Sequence, residues 1–158
     1  MQDRSRPAIL CENTARLRQF LVRRINLERV CQLSNSEIIS IVDDDASARV
    51  ATDRLVRSLG WRARTFASGE EFLQSPQLED TRCLVSDVQM PRLNGLELQR
   101  RLIAQGHRIP IIFMTAFPDD AARTRAMAAG AVCFLTKPFD APTLSECIEA
   151  ALRHHRQQ

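Results

Sequence analysis

The sequence predicts an open, doubly wound α/β domain: a five-stranded parallel sheet with helices on both faces. Two observations carry this. From Ile38 onward, five short runs that are apolar at nearly every position alternate with amphipathic stretches, and strands that are apolar throughout suit a parallel sheet covered on both sides. Three of the amphipathic stretches stop one residue before a glycine, where a helix closes on a left-handed residue. Repeated strand–helix alternation is the pattern of a wound sheet rather than of consecutive hairpins.

The elements follow in order. Ile38-Ile39-Ser40-Ile41-Val42 is the first strand, and Asp43-Asp44-Asp45 comes directly after it. Residues 46–59 form the first helix, closed by Gly60. Arg62–Ala67 is the second strand. Ser68-Gly69-Glu70-Glu71 reads as a capping box opening a short helix. Cys83-Leu84-Val85 is the third strand, with Asp87 just beyond it. Helices over 95–105 and 119–129 enclose the fourth strand, Ile109–Met114. The fifth is Ala131–Leu135. In the last helix Leu144, Cys147, Ile148, Ala151 and Leu152 recur at i, i+3, i+4, i+7 and i+8, one apolar face. Pro142 suits its first turn, and Asp140 or Thr143 its cap.

Composition narrows the class. A chain of 158 residues with 44% hydrophobic content buries a core of its own, as one domain, without staples. No stretch approaches a membrane span, and the apolar run Ala8–Cys11 is too short for a signal peptide. The cysteine count is odd and no CxxC pair occurs, which excludes a complete disulfide framework and points to a reducing cytoplasm. Residues 1–35 carry seven Arg against Asp3, Glu12 and Glu28. The net charge of +3 thus belongs to a basic N-terminal extension, whereas residues 36–155 form a nearly neutral domain.

The chemistry gathers at strand ends. The only lysine, Lys137, stands among 22 Lys and Arg and sits in Thr136-Lys137-Pro138-Phe139. A compact ammonium does what a guanidinium fork does not: it acts as a mobile point charge. Asp43, Asp44, Asp45, Asp87, Thr115 and Lys137 follow strands one, three, four and five, and wound sheets bind ligands beyond the carboxyl ends of their strands. Taken singly, each residue has a plainer reading. Asp45 is an N-cap with charge favoured by the helix dipole, Asp87 a turn residue before Met90-Pro91, Thr115 a β-branched strand end, and Lys137 a solvated loop lysine. Four such groups at four strand ends favour one phosphate-handling site.

These motifs resemble the receiver domain of bacterial two-component response regulators. The resemblance runs from about Ser36 to Arg153 through Ile41-Val42-Asp43-Asp44-Asp45, Leu84–Pro91 with Asn94-Gly95, Phe113-Met114-Thr115-Ala116 and Thr136-Lys137-Pro138-Phe139. It implies the strand order 2-1-3-4-5 and a cis Lys137–Pro138 peptide. It makes Asp87 the phosphoacceptor for a sensor histidine kinase or phosphotransfer protein. Mg²⁺ (or Mn²⁺) would be held by Asp44, Asp87 and the Gln89 backbone carbonyl, with Asp43 direct or through water. Clustered carboxylates raise one another's pKa, and a hard divalent cation relieves that. Lys137 and Thr115 would contact phosphoryl oxygens. Thr115 and Phe134 would act as a switch that changes the surface of helix four, strand five and helix five for a downstream target or a homodimer; a core-facing aromatic is an equal reading of Phe134 from sequence alone. Gln89 and Phe117, near the acceptor, would tune the lifetime of the acyl phosphate.

The expected protein is a signalling module, not a metabolic enzyme, with no membrane partner and, for this chain alone, no nucleic-acid partner. No output domain is expected after His154-His155-Arg156, and the basic extension is expected to be dispensable, helical or disordered. The alternative is a phosphatase of the haloacid-dehalogenase type with Asp43 as nucleophile and Asp45 as second acid. Against it, Asp87 would then have no role.

Overall fold

A computed structural model describes residues 37–156; the expectation for the basic extension lies outside the described residues. Five strands and five helices alternate: β1 (Ile38–Val42), α1 (Ala46–Ser58), β2 (Arg62–Phe66), α2 (Gly69–Gln74), β3 (Thr81–Asp87), α3 (Gly95–Ala104), β4 (Ile111–Thr115), α4 (Asp120–Ala128), β5 (Cys133–Thr136) and α5 (Ala141–His155). The strands pair in parallel in the order β2-β1-β3-β4-β5, as the resemblance implied.

Both faces of the sheet are covered, which is why the central strands lack polar alternation. All five residues of β1 and of β4 are buried. Along β3, Cys83 and Val85 join Ile39, Ile41, Ile112 and Met114 in a core closed by Val56 of α1 and by Leu144, Ile148 and Leu152 of α5. Leu84 faces the other way, into a second core with Phe72, Leu98, Leu102, Phe113 and Ala126.

The strand most altered from its expected span is β3, which starts two residues earlier, at Thr81, and runs through Asp87. Its first residue is polar but buried: the Thr81 hydroxyl lies 2.8 Å from that of Ser40 on β1, inside the sheet, so each has a partner without water. Two other strands start later than expected. β4 begins after Pro110, which has no N–H for the ladder and contributes only its carbonyl, accepting from Leu84 N at 3.0 Å.

Helix ends follow the local chemistry. Asp45 accepts from Ser47 N and Ala48 N, and those backbone bonds hold its carboxyl below the usual carboxylate range. Ser68 caps α2 through Glu71 N, while the Glu71 carboxylate reaches back to Ala67 N at 2.7 Å, a capping box shifted by one residue. Asn94, Asp119 and Asp140 cap α3, α4 and α5. Gly60, Gly106 and Gly130 take φ of 96°, 84° and 90°, the left-handed geometry their positions predicted.

Candidate functional site

The carboxyl ends of β1, β3 and β5 converge on one ammonium. Lys137 Nζ donates to Asp43 Oδ2 and to Asp87 Oδ1, each at 2.8 Å. The other oxygen of each carboxylate accepts a backbone N–H: Asp45 N to Asp43 Oδ1 at 2.9 Å, and Gln89 N to Asp87 Oδ2 at 2.9 Å. Asp43 is 1% exposed and Asp87 6%. Two buried carboxylates are tolerated here because every oxygen has a donor and a cation lies between them.

Local backbone chemistry sets each group. The Lys137 N–H donates to Thr115 O at 2.7 Å, across the β4–β5 edge, and the Lys137–Pro138 peptide is cis, as the resemblance implied. Asp87 ends β3, with its N-terminal neighbour Ser86 buried and bonded to the Asp87 carbonyl at 3.0 Å. Val88 N then donates to Met114 O, and Gly95 N to Val88 O, both at 3.0 Å. These bonds fold the loop after Asp87 back against the sheet.

Burial pushes the Asp87 carboxyl up, with the negative charge of Asp43 adding to it, while the hydrogen bond and charge of Lys137 work against both. For Lys137, burial alone would lower the pKa, but the hydrogen bonds it donates to Asp43 and Asp87 and the charges of those carboxylates outweigh it, so the ammonium is held above its ordinary value. The site therefore pairs a permanent cation with a carboxylate that is costly to ionise, a combination common where carboxylates do chemistry.

Not every expected residue joins this contact. The Thr115 hydroxyl is engaged with the loop backbone, donating to Phe117 O and accepting from Phe117 N at 3.1 Å each. Asp44 is exposed. Together with Gln89, Met90, Phe117, Arg125 and Phe134 it lines a cavity of about 600 Å³. Phe134 is half-buried, its ring 6.2 Å from that of Phe113 and tilted by 48°. Among the described residues no group of three His, Cys, Asp or Glu side chains is gathered closely enough to hold a metal ion by itself. The hard oxygen donors present, the Asp43, Asp44 and Asp87 carboxylates and the Gln89 carbonyl, nonetheless fit Mg²⁺. That ion keeps several waters and takes one or two carboxylates rather than a complete protein cage.

One residue of the site escaped the sequence reading. Arg49 donates to the Asp43 carbonyl at 2.6 Å; a cation near a helix N-terminus, where the dipole disfavours it, was the available signal. Gly95 stood among the motif residues without a role, and the structure gives it one. A Cβ there would overlap the Asp87 carbonyl oxygen and stand 3.0 Å from the Phe113 ring.

Residues 39–149 match the family model of the response regulator receiver domain. The chain belongs to that family. Among curated relatives, this receiver is 41% identical over 121 residues to the response regulator protein TmoT of Ectopseudomonas mendocina, covering 77% of this chain and 55% of that protein. It is 40% identical to the transcriptional regulatory protein FixJ of Bradyrhizobium diazoefficiens, covering 73% and 56% respectively. The chain thus spans about half the length of these relatives. The crystal structure of FixJ-N superposes with a TM-score of 0.69 at 35% identity over 75% of this chain and 94% of that one. A response regulator receiver protein from Burkholderia phymatum superposes with a TM-score of 0.64 at 43% identity, over 74% and 95%. The receiver is a signalling domain of a two-component system. Among the described residues no helix is long and apolar enough to cross a membrane.

Proposed function

We propose that this receiver takes a phosphoryl group onto Asp87 from the phosphohistidine of a sensor histidine kinase or phosphotransfer protein. The observation that carries this is the 2.8 Å contact between Lys137 Nζ and the buried Asp87 carboxylate: one oxygen of the acceptor is held by a mobile cation, the other by the Gln89 N–H. An Asp87 oxygen forms the new bond to phosphorus as the phosphorus–nitrogen bond of the donor breaks, and the imidazole leaves with that electron pair. Hydrolysis of the acyl phosphate returns the carboxylate, and Gln89 and Phe117 border the path of that water.

Phosphoryl transfer needs mainly alignment and neutralisation of charge. Mg²⁺ (or Mn²⁺), held by Asp44, Asp87 and the Gln89 carbonyl with Asp43 direct or through water, would supply the neutralising positive charge. Lys137 exchanges one carboxylate partner for a phosphoryl oxygen. Thr115 must turn its hydroxyl away from Phe117 to donate to another. Its departure frees space for the Phe134 ring, and the α4–β5–α5 face changes for a downstream target or a second copy of the chain. In this role the chain acts in the cytoplasm and, for this chain alone, meets proteins rather than membranes or nucleic acid. Asp43 makes the same pair of contacts, to Lys137 Nζ and to a backbone N–H; the phosphatase reading, with Asp43 as nucleophile, is set aside because it leaves the likewise buried Asp87 without a role.

Incubation with acetyl phosphate and Mg²⁺, followed by intact mass, tests the proposal. The chain is expected to gain one phosphoryl group, Asp87→Asn none, and Asp43→Asn a reduced amount. Full labelling of Asp87→Asn would overturn it.

A further inference from the structure

Gln99, in the middle of α3, is 3% exposed, and its amide Nε2 donates to the carbonyls of Ala126 and Ala129 at 3.3 Å each. Those carbonyls belong to the end of α4. There Ala131 N donates to Ala126 O and Gly130 N to Met127 O, both at 3.0 Å, the paired bonds of a glycine-closed helix. α1 and α3 close on Gly60 and Gly106 with the same backbone pairs. α4 has in addition a side chain from a neighbouring helix, Gln99, on its last carbonyls.

α4 has little else to hold it. It buries only Ala122 and Ala126, whereas α3 buries Leu98 and Leu102 and α5 buries Leu144, Ile148 and Leu152. Alanine methyls remove little apolar area from water, so a two-pronged amide bond, one prong to the buried Ala126 and one to the exposed Ala129, contributes to seating this helix. α3, for its part, is fixed to the acceptor strand. Gly95 N is bonded to Val88 O, and there is no room for a side chain between Gly95 and the Asp87 carbonyl. One rigid helix therefore meets the acceptor loop at Gly95 and α4 at Gln99.

We infer that Gln99 is a positioning residue, a latch from α3 onto the last turn of α4 that sets how readily α4 shifts when Asp87 is phosphorylated. The inference rests on the receiver function proposed above. Releasing the latch lowers the cost of moving α4, and so favours whichever state requires that movement.

The full chain and Gln99→Met, which keeps the side chain's size and removes both N–H donors, are compared by amide hydrogen exchange and by the initial rate of labelling with acetyl phosphate and Mg²⁺. Exchange at the Gly130 and Ala131 amides is expected to rise about tenfold, the effect of one to two lost hydrogen bonds. Amides of β1 and β3 should stay within about twofold, and labelling should run severalfold faster. In the unsubstituted chain, the Gln99 side-chain amide signals should exchange slowly and shift when beryllofluoride and Mg²⁺ are added. Loosening spread equally over the whole domain, unchanged labelling of Gln99→Met, or Gln99 signals that do not respond to beryllofluoride would each overturn the latch. A wild-type chain that takes no label overturns the receiver function itself, and the latch with it.

Discussion

Gly95 and Asp87 are in backbone contact: the first residue of α3 packs against the carbonyl of the acceptor so closely that no β-carbon fits between them. The glycine serves close approach, not backbone freedom, because its φ is not positive. Gly95→Ala is expected to destabilise the domain by about 1–3 kcal/mol, the usual cost of forcing a methyl into a packed interior. Urea unfolding measures this. Because the obstacle is the Asp87 main chain rather than a flexible side chain, labelling by acetyl phosphate should fall as well. A variant as stable and as readily labelled as the parent would contradict the packing described.

Asp87 carries a stability cost that depends on pH. Its folded-state pKa is raised, chiefly by burial, so between the ordinary carboxylate range and that raised value the folded state binds more protons than the unfolded one. Stability then falls as pH rises through the window. Asp87→Asn removes this cost. In metal-free buffer the variant is expected to be more stable than the parent at pH 7, and the difference should shrink as pH falls through that window and be gone below about 4, where the unfolded carboxylate also protonates. Denaturant midpoints at several pH values decide it; an advantage that grows toward low pH would show the sign to be wrong.

Much of this was legible in the sequence, and the parts that were not have a common cause. β1, the three glycine-closed helices and the meeting of Asp43, Asp87 and Lys137 follow from local patterns read one element at a time. The length of β3 did not, because Thr81, Arg82, Ser86 and Asp87 flank its apolar run with polar residues, and the Thr81 hydroxyl finds its partner, Ser40, only across 41 residues of chain. Arg49 on the Asp43 carbonyl and Gln99 on α4 were missed for the same reason. Their partners are set by how helices lie on the sheet, and nothing in their own neighbourhoods names those partners. Thr115 was expected at the phosphoryl site and lies at the correct strand end, yet its hydroxyl is held by a turn two residues away. Strand-end position fixes where a side chain starts, not which rotamer it adopts.

Arg92 is the one non-glycine residue with positive φ, 64°, among the described residues. A side chain in the left-handed region costs roughly 1–2 kcal/mol that glycine avoids, part of which glycine returns through its larger unfolded-state entropy. The ion pair between Arg92 and Glu70, 3.6 Å and largely exposed, offers little to offset it. Arg92→Gly is therefore expected to raise stability by about 0.5–1 kcal/mol, read as a higher urea midpoint with an unchanged slope. Arg92→Ala, which keeps the β-carbon, should give no such gain, and equal gains from both would locate the cost in the charge instead of the backbone.

Thr115 separates folding from switching. Its hydroxyl now closes a small turn with both backbone groups of Phe117, an exposed residue whose N–H and carbonyl water can serve. Thr115→Val keeps the shape of this 1% exposed side chain and deletes the hydroxyl, at an expected cost of about 0.5–1.5 kcal/mol. If that hydroxyl turns to the phosphoryl group and makes way for Phe134, the valine variant should still bind beryllofluoride at Asp87 but lose most of the spectral change at Phe134 and α4. Thr115→Ser should retain it. Nuclear magnetic resonance of the free and beryllofluoride-treated proteins makes the comparison directly. If valine and serine variants respond alike, the hydroxyl has no part in moving the ring, and Phe134 is the core-facing aromatic that its contact with Phe113 alone would suggest.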